Sequence, residues 1–446
     1  MKLNLESIED FRRNFESSDK NIVAMNAASN GALTSVALNR SHYAQSINRT
    51  FSNEIKTRGI TNQKKSGRCW MFAGLNVLRE SIADKLNLES FELSQSYQMF
   101  WDKLEKANYF LESIIETAKE DLHGRLVMWL LSKPVEDGGQ WGMFADLVEK
   151  YGVLPKDLMD ESFQTSESAT MNRLLETKLR EDAMVLRELI NENKSSKEIQ
   201  KKKVEMLNEI YRMLAINIGL PPEKFDYEYK DKDGNFHRID GITPVEFYKE
   251  FCDIKLENMV SVINCPTSDK EFMKTYTVQY LGNVIGGKGI LYLNLDMKNF
   301  KDLAKKAILE NELVWFTSDV SKMMERVKGA LDTQVYDFEN LYSTHFTFSK
   351  AQRLDYGNSS ANHAMVFTGV DIDENGKPLK WKVENSWGDQ IGDKGYFTMS
   401  NSWFDEYVYE IVLDKKHLSP EMKEALKAKP IALKPWDPMG SVAFVR

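Results

Sequence analysis

The sequence has few cysteines, and they follow no recognisable pattern. The 446-residue chain contains three, Cys69, Cys252 and Cys265, and no two of them stand at CxxC spacing. An odd and sparse set argues against a disulfide framework and against a structural zinc site. We therefore expect a reducing compartment, and the sequence indicates neither a metal nor a cofactor.

Long apolar runs and an excess of positive charge are also missing. No run approaches the roughly 18 apolar residues of a membrane span, and residues 1–17 lack the apolar segment of a signal peptide. The formal net charge is -8, which is unfavourable for neutralising phosphates. These absences predict a cytoplasmic location, no membrane contact and no nucleic-acid partner.

What the chain does have is the composition of a folded globular protein with a helical first half. Hydrophobic residues make up 42% and charged residues 28%, which excludes a disordered chain. Ile8, Phe11 and Phe15 recur at helical spacing, so residues 1–60 are predicted to form a helix and then an irregular arm. Further helices are predicted from Cys69 onward, over about 97–117 and over about 143–150.

Residues 170–215 combine regularly spaced apolar side chains with a highly charged background. A polar stretch at 191–196 predicts a turn, so the segment is interpreted as an inserted helical hairpin. From its own pattern it is either a solvated surface element or an arm for oligomerisation.

Beyond about residue 285 the pattern changes to short runs of branched and aromatic residues. Such runs predict strands, and they lie at about 290–294, 313–316, 363–370, 380–384 and 396–399. Helices followed by an antiparallel sheet predict an α+β fold, with its chemistry at the seam of the two layers.

Cys69 stands at the predicted start of a helix. A thiol attacks a carbonyl only as its thiolate, and helix N-terminal amides favour a negative charge. By itself such a cysteine is more often a core residue, because free cysteines are among the most buried residues. A catalytic interpretation of Cys69 therefore depends on other residues.

Several polar residues elsewhere supply what such a thiol needs. Gln63 lies six residues before Cys69, and its carboxamide can donate to an oxyanion. His363 can serve as base and then acid. Asn385 follows 22 residues later and can orient the imidazole, while Trp387 can shield that hydrogen bond from water.

The joint pattern resembles the papain superfamily. It consists of Gln63, the segment 66–73 (Ser-Gly-Arg-Cys-Trp-Met-Phe-Ala), His363-Ala364 and the segment 385–388 (Asn-Ser-Trp-Gly). Two departures are plain. Arg68 stands where the papain signature has Ser or Ala, and His363 lies 294 residues beyond Cys69 instead of roughly 130–150. About 150 residues must therefore be inserted between nucleophile and base.

Longer segments resemble one branch, the aminopeptidase C / bleomycin hydrolase family of cysteine peptidases. They lie at 61–73, 92–97, 137–141, 382–389 and 436–440. The resemblance runs from about residue 20 to 443. It implies catalytic roles for Cys69, His363, Asn385 and Gln63, and a cytosolic homohexamer acting on peptides with a free N-terminus.

The resemblance also implies a domain plan. An N-terminal helix and arm would span 1–60, and a papain-like helical part with the nucleophile would span 61–165. An inserted helical hook would span 166–285, and a papain-like β part 286–432. A C-terminal arm lying in the cleft would span 433–446. The loop at Gly138 and Gly139 would pair with the substrate backbone.

The C-terminus is longer than this family commonly has. Phe444, Val445 and Arg446 follow the expected end, and three extended residues reach up to about 10 Å. The enzyme would trim this tail, or the tail would fill the cleft with Arg446 repelling a substrate ammonium. A displaced tail would instead favour endopeptidase action, and a disordered or cloning-derived tail would do none of these.

Two other functions stay open at this point. One is an oligopeptide endopeptidase using the same catalytic residues. The other is a non-catalytic hexamer that binds peptides or nucleic acid, against which the complete catalytic set and the charge both argue.

Overall fold

The first half of the chain is helical, as predicted. The computed structural model describes residues 2–46 and 48–444. Its helices are α1 (Leu5–Glu16), α2 (Asp19–Ser29), α3 (Leu33–Ala37), α4 (Arg40–Ser46), α5 (Cys69–Lys85), α6 (Gln95–Glu116), α7 (Arg125–Ser132), α8 (Trp141–Tyr151), α9 (Phe163–Ser166), α10 (Ala169–Asn191), α11 (Ser196–Ile218), α12 (Pro244–Phe251), α13 (Met297–Leu309), α14 (Phe338–Tyr342), α15 (Lys350–Asp355), α16 (Asn401–Tyr407) and α17 (Pro420–Ala425).

The predicted helices α5, α6 and α8 are confirmed. Where an end of a helix was predicted, it agrees with the observed end to within about two residues. The predicted irregular arm is wrong in part, because α2, α3 and α4 continue the helical structure up to residue 46. Gly31 does mark a break, since α2 ends at Ser29 and α3 begins at Leu33. These short helices have weak periodicity, which is why the sequence pattern did not reveal them.

The helical hairpin is confirmed as α10 and α11, and its turn ends at a capping box at the start of α11. The Ser195 side chain accepts from the Glu198 backbone, and the Glu198 carboxylate accepts from the Ser195 backbone. Leu175, Leu179 and Leu186 of α10 are buried at helical spacing. Both helices pack on α6, so the hairpin joins the core along one face.

Within the described residues, 12 strands form one large sheet. Its strands are β1 (Asn53–Glu54), β4 (Met259–Ile263), β5 (Thr275–Val278), β6 (Tyr292–Asn294), β7 (Val314–Ser318), β8 (Met324–Glu325), β9 (Ala330–Leu331), β10 (His363–Ile372), β11 (Pro378–Glu384), β12 (Tyr396–Ser400), β13 (Val408–Asp414) and β14 (Ile431–Leu433); a separate hairpin comprises β2 (Phe225–Lys230) and β3 (Phe236–Ile242). The order is β14-β5-β6-β4-β13-β7-β10-β11-β12-β9-β8, with β1 on β10.

The α+β class with a mainly antiparallel sheet in the last third is confirmed, although the sheet is not antiparallel throughout. Three pairs are parallel: β12 with β9, β14 with β5, and β4 with β6. Strands β1, β4 and β5 also come from earlier in the chain. Side chains alternate in the same way in both kinds of pair, so periodicity does not reveal strand direction.

The sheet separates two apolar layers and places α5 on one of them. Along β10, Ala364 and Val366 belong to the helical core, whereas Met365 and Phe367 belong to the core on the opposite face. Helix α5 packs on β7 and β10, and the Trp315 indole donates to the backbone carbonyl of Trp70 at 3.1 Å. The start of α5 is thereby fixed beside the start of β10.

Helix α13 was missed in the strand-rich part of the sequence, although a signal for it exists. Its buried residues Phe300, Leu303, Ala304, Ala307 and Ile308 follow helical spacing. It covers the face of the sheet opposite α5.

None of the helices in the described residues is both long and apolar enough to cross a membrane.

Candidate active site

Cys69 is the first residue of α5 and is buried, with 1% of its surface exposed. Burial raises the pKa of the Cys69 thiol to about 11, and hydrogen bonding to the backbone amides of Ala364, Trp70 and Cys69 opposes this rise. Because Ala364 follows His363 directly, the sulfur lies beside the first residues of β10. The structure therefore brings together the two residues that the sequence separates by 294 positions.

His363 is held by Asn385, as the sequence predicted. The imidazole Nε2 lies 2.8 Å from the Asn385 Oδ1, so Nε2 carries the hydrogen and donates it. The Nδ1 atom is then the ring nitrogen available to exchange a proton with a thiol. Asn385 Oδ1 also accepts from the Ser386 backbone at 2.8 Å, which fixes the carboxamide.

Burial acts on the imidazole of His363 as it does on the thiol of Cys69. Burial lowers the pKa of His363 to about 4; the hydrogen bond to Asn385 opposes this, and the charge of Arg326 adds to it. Burial thus disfavours a lone thiolate and a lone imidazolium in the same way. Moving the proton from sulfur to Nδ1 creates both charges together, so each stabilises the other.

Gln63 is fixed between the turn before Cys69 and the segment after Asn385. Its Nε2 donates to the Ser66 carbonyl at 2.7 Å, and its Oε1 accepts from the Ser386 hydroxyl at 2.8 Å. A carboxamide nitrogen carries two hydrogens, and this bond uses one of them. The other can be given to an oxyanion.

The turn before Cys69 is held by Asp137. Its carboxylate accepts from the Gly67 backbone at 3.0 Å and pairs with the Lys103 ammonium at 2.6 Å. Hydrogen bonds from Ser168 and Asn172 complete its shell. Despite its burial, the pKa of the Asp137 carboxyl lies below its usual range, because Lys103 and these donors stabilise the charged form.

Arg68, which departs from the papain signature, has a structural partner. Its guanidinium forms two hydrogen bonds with the carboxylate of Glu161, at 3.0 and 2.7 Å, and one with the Thr165 carbonyl at 2.7 Å. Its Nε donates to the Ser66 hydroxyl at 2.9 Å. Arg68 therefore ties the turn before Cys69 to residues 161–165, a role that sequence reasoning missed.

Gly138 and Gly139 form a ledge with no room for side chains. A Cβ at Gly139 would overlap the Trp70 indole, and a Cβ at Gly138 would overlap backbone atoms of Val442 and Ala443. The Gly138 carbonyl accepts from the Lys106 ammonium at 2.6 Å. The predicted substrate ledge is thus covered by the protein's own C-terminal segment.

That segment, residues 436–443, is anchored along its length and is called the arm below. The Trp436 ring lies 3.8 Å from the Arg125 guanidinium, and Asp437 pairs with Lys270 at 2.9 Å. The Met439 carbonyl accepts from the Tyr292 hydroxyl at 3.1 Å. Val442 and Ala443 are buried.

The predicted site residue Arg446 and its neighbour Val445 lie outside the described residues. The alternative interpretations of the C-terminal tail, given above from the sequence, therefore stay predictions.

Trp387 lies where the sequence predicted, beside the imidazole. The two ring centroids are 4.7 Å apart, at an interplanar angle of 31°. On the same indole lies the Arg326 guanidinium, 4.8 Å from the ring centroid. Arg326 was missed, because an arginine in the exposed loop between β8 and β9 gives no signal in the sequence.

Among the described residues, one group of carboxylates and imidazole is close enough to share a metal ion. It comprises Glu310, Glu312 and His417. The Lys416 ammonium pairs with Glu312, and the His417 ring lies within hydrogen-bond distance of the same carboxylate, so a cation of the protein already compensates the charge of Glu312. The group lies near Val314 of β7, at the opposite end of that strand from Ser318, the partner of His363.

An α+β fold with a cysteine opposite an asparagine-bound histidine, at the seam of the layers, defines the class of papain-like cysteine peptidases. The chain belongs to the peptidase C1-like family, whose model matches residues 2–440. The predicted family resemblance is thereby confirmed.

Relatives of known name match over almost the whole chain. Aminopeptidase C of Lactobacillus delbrueckii subsp. lactis is 47% identical, covering 99% of both chains. Aminopeptidase C of Listeria monocytogenes is also 47% identical, again covering 99% of both. The crystal structure of PepW from Lactobacillus rhamnosis HN001 is 45% identical with a TM-score of 0.97, covering 98% of this chain and 99% of that one.

Proposed function

We propose that this protein is a cysteine aminopeptidase that releases N-terminal residues from peptides through an acyl-enzyme. His363 takes the thiol proton as the Cys69 sulfur attacks the scissile carbonyl, and Gln63 donates to the oxyanion. His363 then gives the proton to the leaving amine as the C–N bond breaks. Water, deprotonated by the same imidazole, cleaves the thioester. Asn385 keeps the ring in the donating orientation throughout.

The observation that carries the restriction to N-termini is the position of the arm. Val442 and Ala443 lie against Gly138, where an extended peptide would otherwise pair with the ledge. A substrate therefore has little room on the acyl side of the scissile bond. The 47% identity to aminopeptidase C proteins supports the same activity.

Replacement of the nucleophile tests the chemistry. Cys69→Ala should abolish hydrolysis of an aminoacyl coumarin amide while the melting temperature stays near that of the wild type. Cys252→Ala, at another buried free cysteine, is the matched control and should keep its activity. Turnover by Cys69→Ala would reject the assignment.

Blocked peptides test the aminopeptidase restriction against the second candidate, an endopeptidase. An endopeptidase would use the same catalytic residues with the arm displaced from Gly138. A free peptide and its N-acetylated form should differ strongly in rate if the arm restricts access. Equal rates would establish endopeptidase action.

Processing of the tail is read from the intact mass. Loss of C-terminal residues from the active enzyme, and not from Cys69→Ala, would establish self-trimming. A full-length mass in both proteins would exclude self-trimming. Two interpretations would then be left, a tail that fills the cleft and a tail that is displaced from it. Rates on free and acetylated peptides then separate these two.

We also propose a homohexamer in the cytoplasm. Helix α1 has no buried residue, and its Leu5, Ile8 and Phe11 are 79%, 48% and 58% exposed. Exposed apolar residues of this kind are typical of a surface that contacts another subunit. The free cysteines fit a reducing compartment. Analytical ultracentrifugation should give six times the chain mass of 51.5 kDa; a monomer would reject the assembly.

Binding to nucleic acid is not expected of this assembly at a net charge of -8 per chain. A filter-binding assay over a salt series checks this prediction. Salt-dependent retention at physiological ionic strength would support the non-catalytic alternative.

A further inference from the structure

The loop between β8 and β9 presents a cation beside the catalytic histidine. Its backbone is held in place, because the Val327 carbonyl accepts from Gly392 at 3.1 Å and the Lys328 carbonyl accepts from Arg49 at 3.0 Å. Strand β9 pairs in parallel with β12. Arg326 is thus carried on an anchored loop at the edge of the sheet.

The Arg326 guanidinium is oriented but not neutralised. It lies 4.8 Å from the centre of the Trp387 ring, and that ring lies 4.7 Å from the ring of His363. Within the described residues, the guanidinium has neither an ion pair nor a hydrogen bond. Arg49, on the same side of the molecule, is by contrast paired with Asp393 at 3.3 Å.

An arginine packed on an indole face keeps its N–H groups available at the edge of its plane. Those groups match the two oxygens of a carboxylate. Since Arg326 is exposed, these N–H groups are accessible to a ligand from solution. Its position beside His363 makes the substrate the candidate.

The two sides of the catalytic pair differ in what can lie there. On one side, the arm covers Gly138 and leaves room only for the acyl part of a short N-terminus. The leaving amine must be near His363, because the imidazole gives it a proton. The arm leaves open the surface beside His363 that Trp387 and Arg326 form. The leaving part of the peptide therefore lies on this surface.

We propose that Arg326 forms a subsite for a carboxylate on the leaving part of the substrate. Two parts of a substrate can bring a carboxylate to Arg326. One is the terminal carboxylate of a dipeptide, and the other is an acidic side chain directly after the cleaved bond. This inference rests on the proposed aminopeptidase function and adds a substrate class to it, namely short or acidic peptides.

The test compares Arg326→Gln with Lys328→Gln, which removes an exposed charge from the same loop. The substrates are alanyl-glycine, alanyl-glycinamide, alanyl-glutamyl amide, alanyl-glutaminyl amide and an alanyl coumarin amide. For wild type and Lys328→Gln we expect kcat/KM to be higher on each carboxylate than on its neutral partner. Arg326→Gln should lose about tenfold on the carboxylates alone, as expected for a charged hydrogen bond.

The pattern of losses decides the proposal. A loss confined to alanyl-glycine assigns the terminal carboxylate, and one confined to alanyl-glutamyl amide assigns the side chain. Equal losses on the neutral partners would overturn the proposal, since Arg326 would then act only through Trp387 and His363. The same loss in Lys328→Gln, or none in Arg326→Gln, would also overturn it.

The coumarin amide keeps this outcome separate from the proposed function. It carries no carboxylate, so its rate of hydrolysis by Arg326→Gln measures the effect of the lost charge on His363 by itself, and the losses on the carboxylates are judged relative to that rate. Failure of the wild type on this substrate would instead reject the aminopeptidase assignment. Arg326→Lys adds a test of geometry, because it keeps the charge and loses the planar fork.

Discussion

The backbone carbonyl of Val442 lies directly against the α-carbon of Gly138. Gly138, which is predicted to offer its backbone to an extended substrate, is therefore already in contact with the arm. This contact places the arm at the predicted substrate ledge, and a single methyl group added to Gly138 would disturb it.

Gly138→Ala should displace the arm. The new Cβ would overlap the carbonyl of Val442 and the backbone of Ala443, and overlap of this kind typically costs about 1–3 kcal/mol. We expect the ratio of acetylated to free peptide cleavage to rise about tenfold. Gly31→Ala is the control, because its Cβ would meet only ordinary contacts. An unchanged ratio would mean that the arm does not limit access.

Gln63→Ala should slow catalysis with little effect on substrate binding. The lost carboxamide donates only when the oxyanion forms, and removal of such a donor typically lowers kcat about 100-fold. KM should stay within a factor of about three if ground-state binding is untouched. The exposed Gln390→Ala is the control. A rise in KM with unchanged kcat would assign Gln63 to substrate binding instead.

Arg68→Met should destabilise the fold. It leaves the Glu161 carboxylate, the Thr165 carbonyl and the Ser66 hydroxyl without their donor. Breaking one side of a buried pair typically costs about 3–5 kcal/mol in the free energy of unfolding. Lys298→Met removes an exposed pair with Asp302 and should leave the free energy of unfolding nearly unchanged.

A double variant separates the ion pair from the other contacts of Arg68. Arg68→Met with Glu161→Leu should recover part of the loss in urea unfolding, because no buried charge is then left without a partner. Full additivity of the two substitutions would contradict a direct coupling.

Glu410→Gln should flatten the dependence of stability on pH. Burial raises the pKa of Glu410 to about 8 from the ordinary 4.5, against a smaller opposing effect of Ser261. Between these values the unfolded chain loses the proton and the folded chain keeps it. The free energy of unfolding therefore falls as pH rises from 4.5 to 8, by about 1.4 kcal/mol per pH unit.

Chemical unfolding at pH 5, 6 and 7 measures this slope. Glu410→Gln should lack the contribution of Glu410, while the exposed Glu250→Gln should keep the wild-type slope. Parallel curves for all three proteins would contradict a protonated Glu410 in the folded state.

Helices α5, α6, α8, α10 and α11 could be predicted because their apolar residues recur with the helical period. The direction of the strands could not, since alternation is the same in parallel and antiparallel pairs. The short helices α3 and α4 escaped because five to seven residues hold too little periodicity. Arg68 seemed only an exception to a motif until its partner Glu161 was placed beside it.

The sequence by itself determined the family and the set of candidate catalytic residues. Gln63, Cys69, His363 and Asn385 are recognisable from their types and neighbours, because the chemistry requires a thiol, a base, a residue that orients the base and an oxyanion donor. Such local signatures can be recognised in the sequence without knowledge of the fold.

Only the tertiary structure decided what surrounds those residues. The arm on Gly138 and Arg326 on Trp387 join parts of the chain that no periodicity relates. The raised pKa of the Cys69 thiol and the lowered pKa of His363 follow from burial, which depends on the packing of all layers together. Specificity and electrostatics are properties of long-range contacts, and a linear pattern does not contain them.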